Sequence, residues 1–268
     1  MMHRTEQIVP LSQWRSLWKC SVVNAFHPRI HSARPHTGQM LVASRIRTLL
    51  RADNPSELFR SHNYDGKVQD AYTLRCAPQC YRQSDGVHWQ WQLPRRVSGY
   101  LAIGIHEIAS VSERRIERLV NPTLSNLPAF LVSEGGLNSG FMIAHCTAAA
   151  LVSENKVLTH PSSVDSISTS GSKEDHVSMR KALTVVEHVE TVVAIEILAA
   201  CHALDLLRPL RTTDALEVIH ALVRTRVPKF DKDRVMKPDI DAVLDLVRSG
   251  AICEVAAPFL TKLHVTEL

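Results

Sequence analysis

Gln69, Tyr72 and Arg75 recur at intervals of three in Gln69-Asp70-Ala71-Tyr72-Thr73-Leu74-Arg75. On a helical turn that spacing puts Gln69 and Tyr72 on one face, with Arg75 within reach of it. An arginine fork grips a carboxylate through two hydrogen bonds, and a tyrosine whose pKa is lowered can move a proton. The trio would suit a small carboxylate-bearing substrate from which a proton is taken. On spacing alone the plainer reading, a surface helix with an ordinary arginine, is favoured. Cys76 and Cys80 are near enough to share a metal, but no second Cys/His pair follows at a zinc-site spacing. They read as free thiols, as do Cys20, Cys146, Cys201 and Cys253.

Longer stretches change the weighting. Lys67-Val68-Gln69-Asp70-Ala71-Tyr72-Thr73-Leu74-Arg75-Cys76 resembles the substrate-pocket segment of histidine ammonia-lyases, members of the aromatic amino acid ammonia-lyase family. Ser112-Glu113-Arg114-Arg115-Ile116-Glu117-Arg118-Leu119 before Asn121-Pro122 resembles the same family. So do Phe130-Leu131-Val132, Glu134-Gly135-Gly136-Leu137-Asn138-Ser139-Gly140-Phe141, Glu174-Asp175-His176-Val177-Ser178-Met179 and, upstream, Ile30-His31-Ser32-Ala33-Arg34-Pro35-His36. The likeness covers most of residues 27–260 and is poor from Cys80 to Gly99. It implies that Arg75 holds the substrate carboxylate, that Tyr72 acts in proton transfer and that Gln69 lines the pocket. Glu174 would face an imidazole, which implies L-histidine as substrate, and urocanate and ammonia as products. His176 reads as structural.

The resemblance also shows what these residues lack. The family's electrophile is a methylidene-imidazolone ring made from an internal Ala-Ser-Gly, and no Ala-Ser-Gly occurs here. No cofactor is therefore expected in this chain. Ser98-Gly99, Ser139-Gly140, Ser170-Gly171 and Ser249-Gly250 follow Val, Asn, Thr and Arg.

A second departure lies before Tyr100, where relatives carry Gly-Asn-Phe-His-Gly-Glu. Trp91-Gln92-Leu93-Pro94-Arg95-Arg96-Val97-Ser98 can be encoded as TGG CAA CTT CCA CGG CGA GTA TCC. Shifted by one base, the same bases give Gly-Asn-Phe-His-Gly-Glu-Tyr, so a frame slip or a wrong splice junction is expected in this stretch. At Met179-Arg180 relatives have a short run of small residues and a tryptophan before Arg-Lys. Losing about five helical residues there turns the downstream part of the helix by about 140° and shifts it by about 7.5 Å. The polypeptide alone is expected to be inactive, and apolar faces left uncovered are expected to make it poorly soluble.

The elements that would position these residues are helices. From Tyr100 to Leu119, Leu101, Ile105, Ile108, Ser112 and Ile116 recur at three or four, and Asn121-Pro122 ends the run. Leu183, Val186, Val189, Val193, Ile197, Ala200, Leu204 and Leu207 keep that spacing for about seven turns until Pro209. Small residues crowd Asn138 to Val152, which suits a closely packed bundle helix. Asn54-Pro55-Ser56-Glu57 is a helix-start pattern, Ser162 to Ser172 reads as a loop, and a last helix runs from about Asp239 to Ser249 and stops at Gly250. Period-two alternation is nearly absent. The fold class is mostly α, a long-helix bundle resembling the central and C-terminal part of the aromatic amino acid ammonia-lyase fold. Residues 1–26 form a lead-in without a clear pattern, and residues 27–268 form one helical domain with an aberrant segment at 80–99.

The composition of the 268 residues, 45% hydrophobic and 22% charged, is that of a globular chain with a sizeable core. Glu196 interrupts the most apolar stretch, Val192 to Cys201, so no membrane span is expected. The first thirty residues form no signal-peptide apolar stretch, and the expected compartment is the cytoplasm. Residues 1–100 are basic, with 14 Lys and Arg against 6 Asp and Glu, but without interleaved stacking aromatics, so no nucleic-acid partner is expected. The partners implied by the resemblance are L-histidine and other lyase subunits, in a homo-oligomer or with full-length chains. The competing reading is a non-catalytic fragment that binds or modulates full-length lyase subunits.

Overall fold

The computed structural model describes residues 26–33, 35–50, 57, 94–160 and 173–260. Its helices are α1 (Pro28–Ser32), α2 (Thr37–Leu50), α3 (Pro94–Val120), α4 (Pro122–Ser125), α5 (Met142–Leu158), α6 (Lys173–Leu206), α7 (Asp214–Arg226), α8 (Lys237–Arg248) and α9 (Ala251–Leu260), with a short 3₁₀ turn at Ala129–Leu131. No strand occurs among the described residues.

α6 is the axis. Between Val192 and Ala199 every residue is buried, on all sides of the helix. A helix that is apolar all round must be surrounded. α3 lies along it as its main partner, and α5 and α8 pack on it as well. Each Val, Leu or Ile fully buried in this way contributes about 1.5–3 kcal/mol. The stripe read from sequence on α3 holds, since Leu101, Ile105, Ile108, Ser112 and Ile116 are all buried. α5 approaches α3 and α6 through the fully or nearly buried Ala144, Ala148 and Val152, whose small size permits close contact. α7, α8 and α9 form a smaller cluster, and α9 also reaches α2.

The punctuation follows from side-chain chemistry. Asn121 ends α3 and caps α4, its Oδ1 accepting from the Thr123 amide at 3.1 Å, with Pro122 at the first helical position. Gly250, at φ 78°, takes the left-handed conformation after α8 that lets α9 start at once.

Several expectations need adjusting. The helix expected between Asn138 and Val152 starts at Met142, because Gly140, at φ 52°, closes a turn against the Phe130 carbonyl. α6 begins ten residues before Leu183, and Leu183 itself is exposed. α2, α7 and α9 lie where no element was read. The helix start at Asn54 and the loop at Ser162 to Ser172 fall outside the described residues, apart from a helical Glu57. Among the described helices none is long and apolar enough to cross a membrane.

Candidate functional site

Gln69, Tyr72 and Arg75 lie outside the described residues, as does most of segment 80–99. Glu174 is placed by its backbone in the first turn of α6. The described part of the molecule is the scaffold such a site would stand on, held by buried polar clusters along α3, α5, α6 and α7.

The deepest is an ion pair between the two central helices. Glu196 of α6 is fully buried and Arg115 of α3 nearly so. The guanidinium meets both carboxylate oxygens, Nε to Oε1 at 2.5 Å and Nη2 to Oε2 at 3.0 Å, and Nη2 also donates to Ser112 Oγ at 3.0 Å. The fork fits the carboxylate in the bidentate manner that makes such pairs strong and directional. Earlier on α6, buried Glu190 accepts from Arg248 Nε of α8 at 2.8 Å.

Two carboxylate–histidine pairs look at first like proton relays. Glu113 Oε1 lies 2.9 Å from His145 Nε2, joining α3 to α5, and the Arg114 guanidinium grips the same carboxylate. Burial alone would raise the Glu113 carboxyl, but these hydrogen bonds hold it below its ordinary value. Asp205 Oδ1 lies 2.7 Å from His220 Nε2, and Asp205 Oδ2 pairs with Arg224 at 2.6 Å. The other nitrogen of His220 faces Arg208 at 3.4 Å, and Arg208 forks onto Glu217 at 2.9 and 2.8 Å. With both ring nitrogens engaged, His220 has no basic lone pair left to offer a substrate. This cluster fastens the α6–α7 connection.

At the far end of α6, His202 stacks on the ring of Phe230, and Phe141 lies tilted against both. The His202 centroid is 4.4 Å from Phe230 and 5.4 Å from Phe141, and Arg234 lies over Phe230 at 4.8 Å. Burial, helped by the positive charge of Arg224, pushes the His202 pKa down to about 4, so the ring is neutral at pH 7. The unfolded chain then binds a proton that the folded chain refuses between about pH 6.5 and 4, and stability falls as pH falls through that window. Urea unfolding at pH 7.5, 6 and 5 should show a loss approaching about 1.4 kcal/mol per pH unit from this group. His202→Gln should flatten the profile, and an unchanged slope in that variant would exclude His202 as its source.

Cys201 beside it is buried and its thiol is pushed up to about 12, which makes it unreactive. Cys146 and Cys253 are also unbridged. Among the described residues no three His, Cys, Asp or Glu side chains are grouped to hold a metal. The pairs that tie α3 to α5 and α6, and α6 to α8, join residues 32 to 81 positions apart, and nothing local in the sequence marks them.

The family model for aromatic amino acid lyase matches this chain in two stretches, residues 19–86 and 86–225. The histidine ammonia-lyase of Bos taurus is 51% identical over 282 residues, covering 91% of this chain and 43% of that protein. That of Koribacter versatilis (strain Ellin345) is 44% identical over 282 residues, covering 87% and 54%. Among solved structures, histidine ammonia-lyase from Trypanosoma cruzi superposes with a TM-score of 0.82 at 44% identity, covering 96% of this chain and 55% of that one. A tyrosine aminomutase from Streptomyces globisporus gives 0.80 at 25% identity, covering 98% and 60%. The chain thus spans about half the length of the curated relatives it matches. The two matched stretches meet at residue 86, inside the poorly matching segment 80–99.

Proposed function

This chain belongs to the aromatic amino acid lyase family, and from that premise we propose that it is part of a histidine ammonia-lyase, which converts L-histidine to urocanate and ammonia. One observation carries the reading: the identity of about half with histidine ammonia-lyases extends over 91% of the chain. Glu174, in the first turn of α6, carries the specificity within it.

In this reading Arg75 takes the substrate carboxylate in its fork, and Gln69 lines the pocket beside it. Glu174 faces the imidazole, a ring that can donate to a carboxylate as a phenyl ring cannot. Tyr72 takes part in moving the β-proton as the carbon–nitrogen bond breaks and the double bond forms. The amine leaves only when an electrophile activates it, and the family's methylidene-imidazolone does not fit these residues. Ser98-Gly99 is inside α3, Gly140 has its amide held by Asp233, and Ser249-Gly250 is wound into the end of α8. None has a backbone free to fold back into a ring. Ser170-Gly171 lies outside the described residues and follows Thr rather than Ala, so in this reading the electrophile comes from an Ala-Ser-Gly that these 268 residues do not contain.

A homo-oligomer fits the surface of α5, which turns Ile143, Cys146, Ala150 and Val157 outward as a nearly uncharged stripe. Among the described residues Cys146, Cys201 and Cys253 are unbridged, which fits the reducing cytoplasm. The matches give no support to a separate role as a non-catalytic modulator.

The test is to sequence the transcript from upstream of Met1 through Met179-Arg180, express the frame that joins Ala-Ser-Gly to these residues, and assay it. Urocanate from L-histidine, with L-phenylalanine and L-tyrosine untouched, is expected. A transcript coding for these residues alone, or an enzyme that deaminates phenylalanine and not histidine, overturns the proposal.

A further inference from the structure

Backbone strain collects in the 3₁₀ turn and in the loop that leads from it to α5. Phe130 and Leu131 both sit at left-handed φ, 54° and 59°, followed by Gly136 at 93° and Gly140 at 52°. A non-glycine residue held there costs about 1–3 kcal/mol and persists only where its surroundings over-determine it. Phe130 is fixed because its carbonyl accepts the Phe141 amide at 3.0 Å, and because Gly140 passes so close that a Cβ would meet that carbonyl oxygen at 2.5 Å.

What holds Gly140 in place is Asp233, ninety-three residues away in the segment between α7 and α8. Its Oδ2 accepts from the Ser139 amide at 2.7 Å and its Oδ1 from the Gly140 amide at 2.8 Å. The grip is reciprocal, since the Asp233 amide donates to Asn138 Oδ1 at 3.0 Å. Asn138 also closes the hoop on itself, its amide donating to the Glu134 carbonyl at 3.1 Å. Asp233 in turn stands on a firm base, because Arg234 donates to Asp239 at 2.8 Å and to the Pro228 carbonyl at 2.9 Å. The tip of the hoop is open to solvent: Leu137 is 83% exposed. Apolar burial contributes little there, and the charged hydrogen bonds hold the hoop down.

We propose that Asp233 and Asn138 form a latch that fixes the hoop 134–140, and through it the strained Phe130–Leu131 turn, to the segment 227–236 and releases it without unfolding the bundle. Open, the hoop frees Gly140 from the Phe130 carbonyl and lets Phe130 and Leu131 relax. The proposal is independent of the lyase reading.

Amide hydrogen exchange on the full chain tests it, comparing the natural protein with D233A and N138A. Losing hydrogen bonds to a carboxylate should speed exchange at Ser139 and Gly140 by at least about tenfold in D233A. N138A, which removes the return bond and the long 3.5 Å contact of the Asn138 side chain to the Glu134 carbonyl, should give a smaller rise, and amides of α6 between 185 and 203 should not change in either. Thermolysin cleavage at Leu137 should rise in parallel. Exchange at Ser139 and Gly140 that stays unchanged, or that rises only together with α6, overturns the latch. If D233A fails to fold, N138A decides by the same criterion.

Discussion

Incubated with L-histidine, the purified 268-residue chain is expected to form no urocanate above a buffer control, and its intact mass should equal that calculated from its sequence. Ammonia is a poor leaving group from an unactivated amine, and no side chain of this sequence supplies the electrophile the elimination needs. The Ser-Gly pairs that could be suspected of making one are, where described, inside a helix, at a helix end or clamped by Asp233. The junction at Met179-Arg180 works in the same direction. α6 runs unbroken from Lys173 to Leu206, so it transmits any change of length at that junction rigidly to Glu174. A loss of about five residues would turn Glu174 by about 140° and move it about 7.5 Å relative to the buried half of the helix. Displacements far smaller than that cost orders of magnitude in rate. Urocanate production, together with a mass lower than calculated, would show that another tripeptide cyclises here and would overturn the expectation.

The sequence displayed the scaffold better than the site. The stripe of Leu101, Ile105, Ile108 and Ile116 was legible because one buried face repeats with the helical period, and the structure buries all four. α6 was legible as a helix but not as the centre: Val185, Val192, Ile195 and Leu198 are buried beside the predicted stripe, and a helix covered on every side loses the one-sided period. α7 escaped because its buried positions, Ala215, Leu216, Ile219 and Val223, are spread among charged residues over only thirteen positions. α9 escaped because Gly250 was read as a stop, whereas its left-handed turn serves as a corner between two helices. The long-range polar contacts could not be read at all. Nothing near Asp233 points to Ser139, and nothing near Arg115 points to Glu196. Such pairs are set by how helices cross in space, which local spacing does not encode. The site residues themselves were legible only through resemblance, since Gln, Tyr and Arg at intervals of three also describe an ordinary surface turn. Their described neighbourhood is limited to the backbone of Glu174.

Glu196→Ala is expected to destabilise the chain by about 3–5 kcal/mol, a large part of the roughly 5–15 kcal/mol that typically holds a domain together. The carboxylate is fully buried, and its removal takes the bidentate partner away from the Arg115 guanidinium, which stays charged in the seam between α3 and α6 beside Ser112 Oγ. The pair itself need not be a net source of stability, because burying both charges costs several kcal/mol that their attraction only partly returns. Replacing both at once separates the two ideas. An Arg115→Met, Glu196→Leu double variant fills similar volume without charge and should unfold within about 1.5 kcal/mol of the natural chain, far from the sum of the single losses. Urea midpoints of the natural, single and double variants give the coupling directly. A loss below about 1 kcal/mol in Glu196→Ala would mean that water or a shifted side chain reaches the guanidinium, and that the seam is looser than its bidentate geometry implies. A double variant as unstable as the singles would mean that the bidentate pair is what sets the α3–α6 register, a directional role that apolar packing along two smooth helices does not replace.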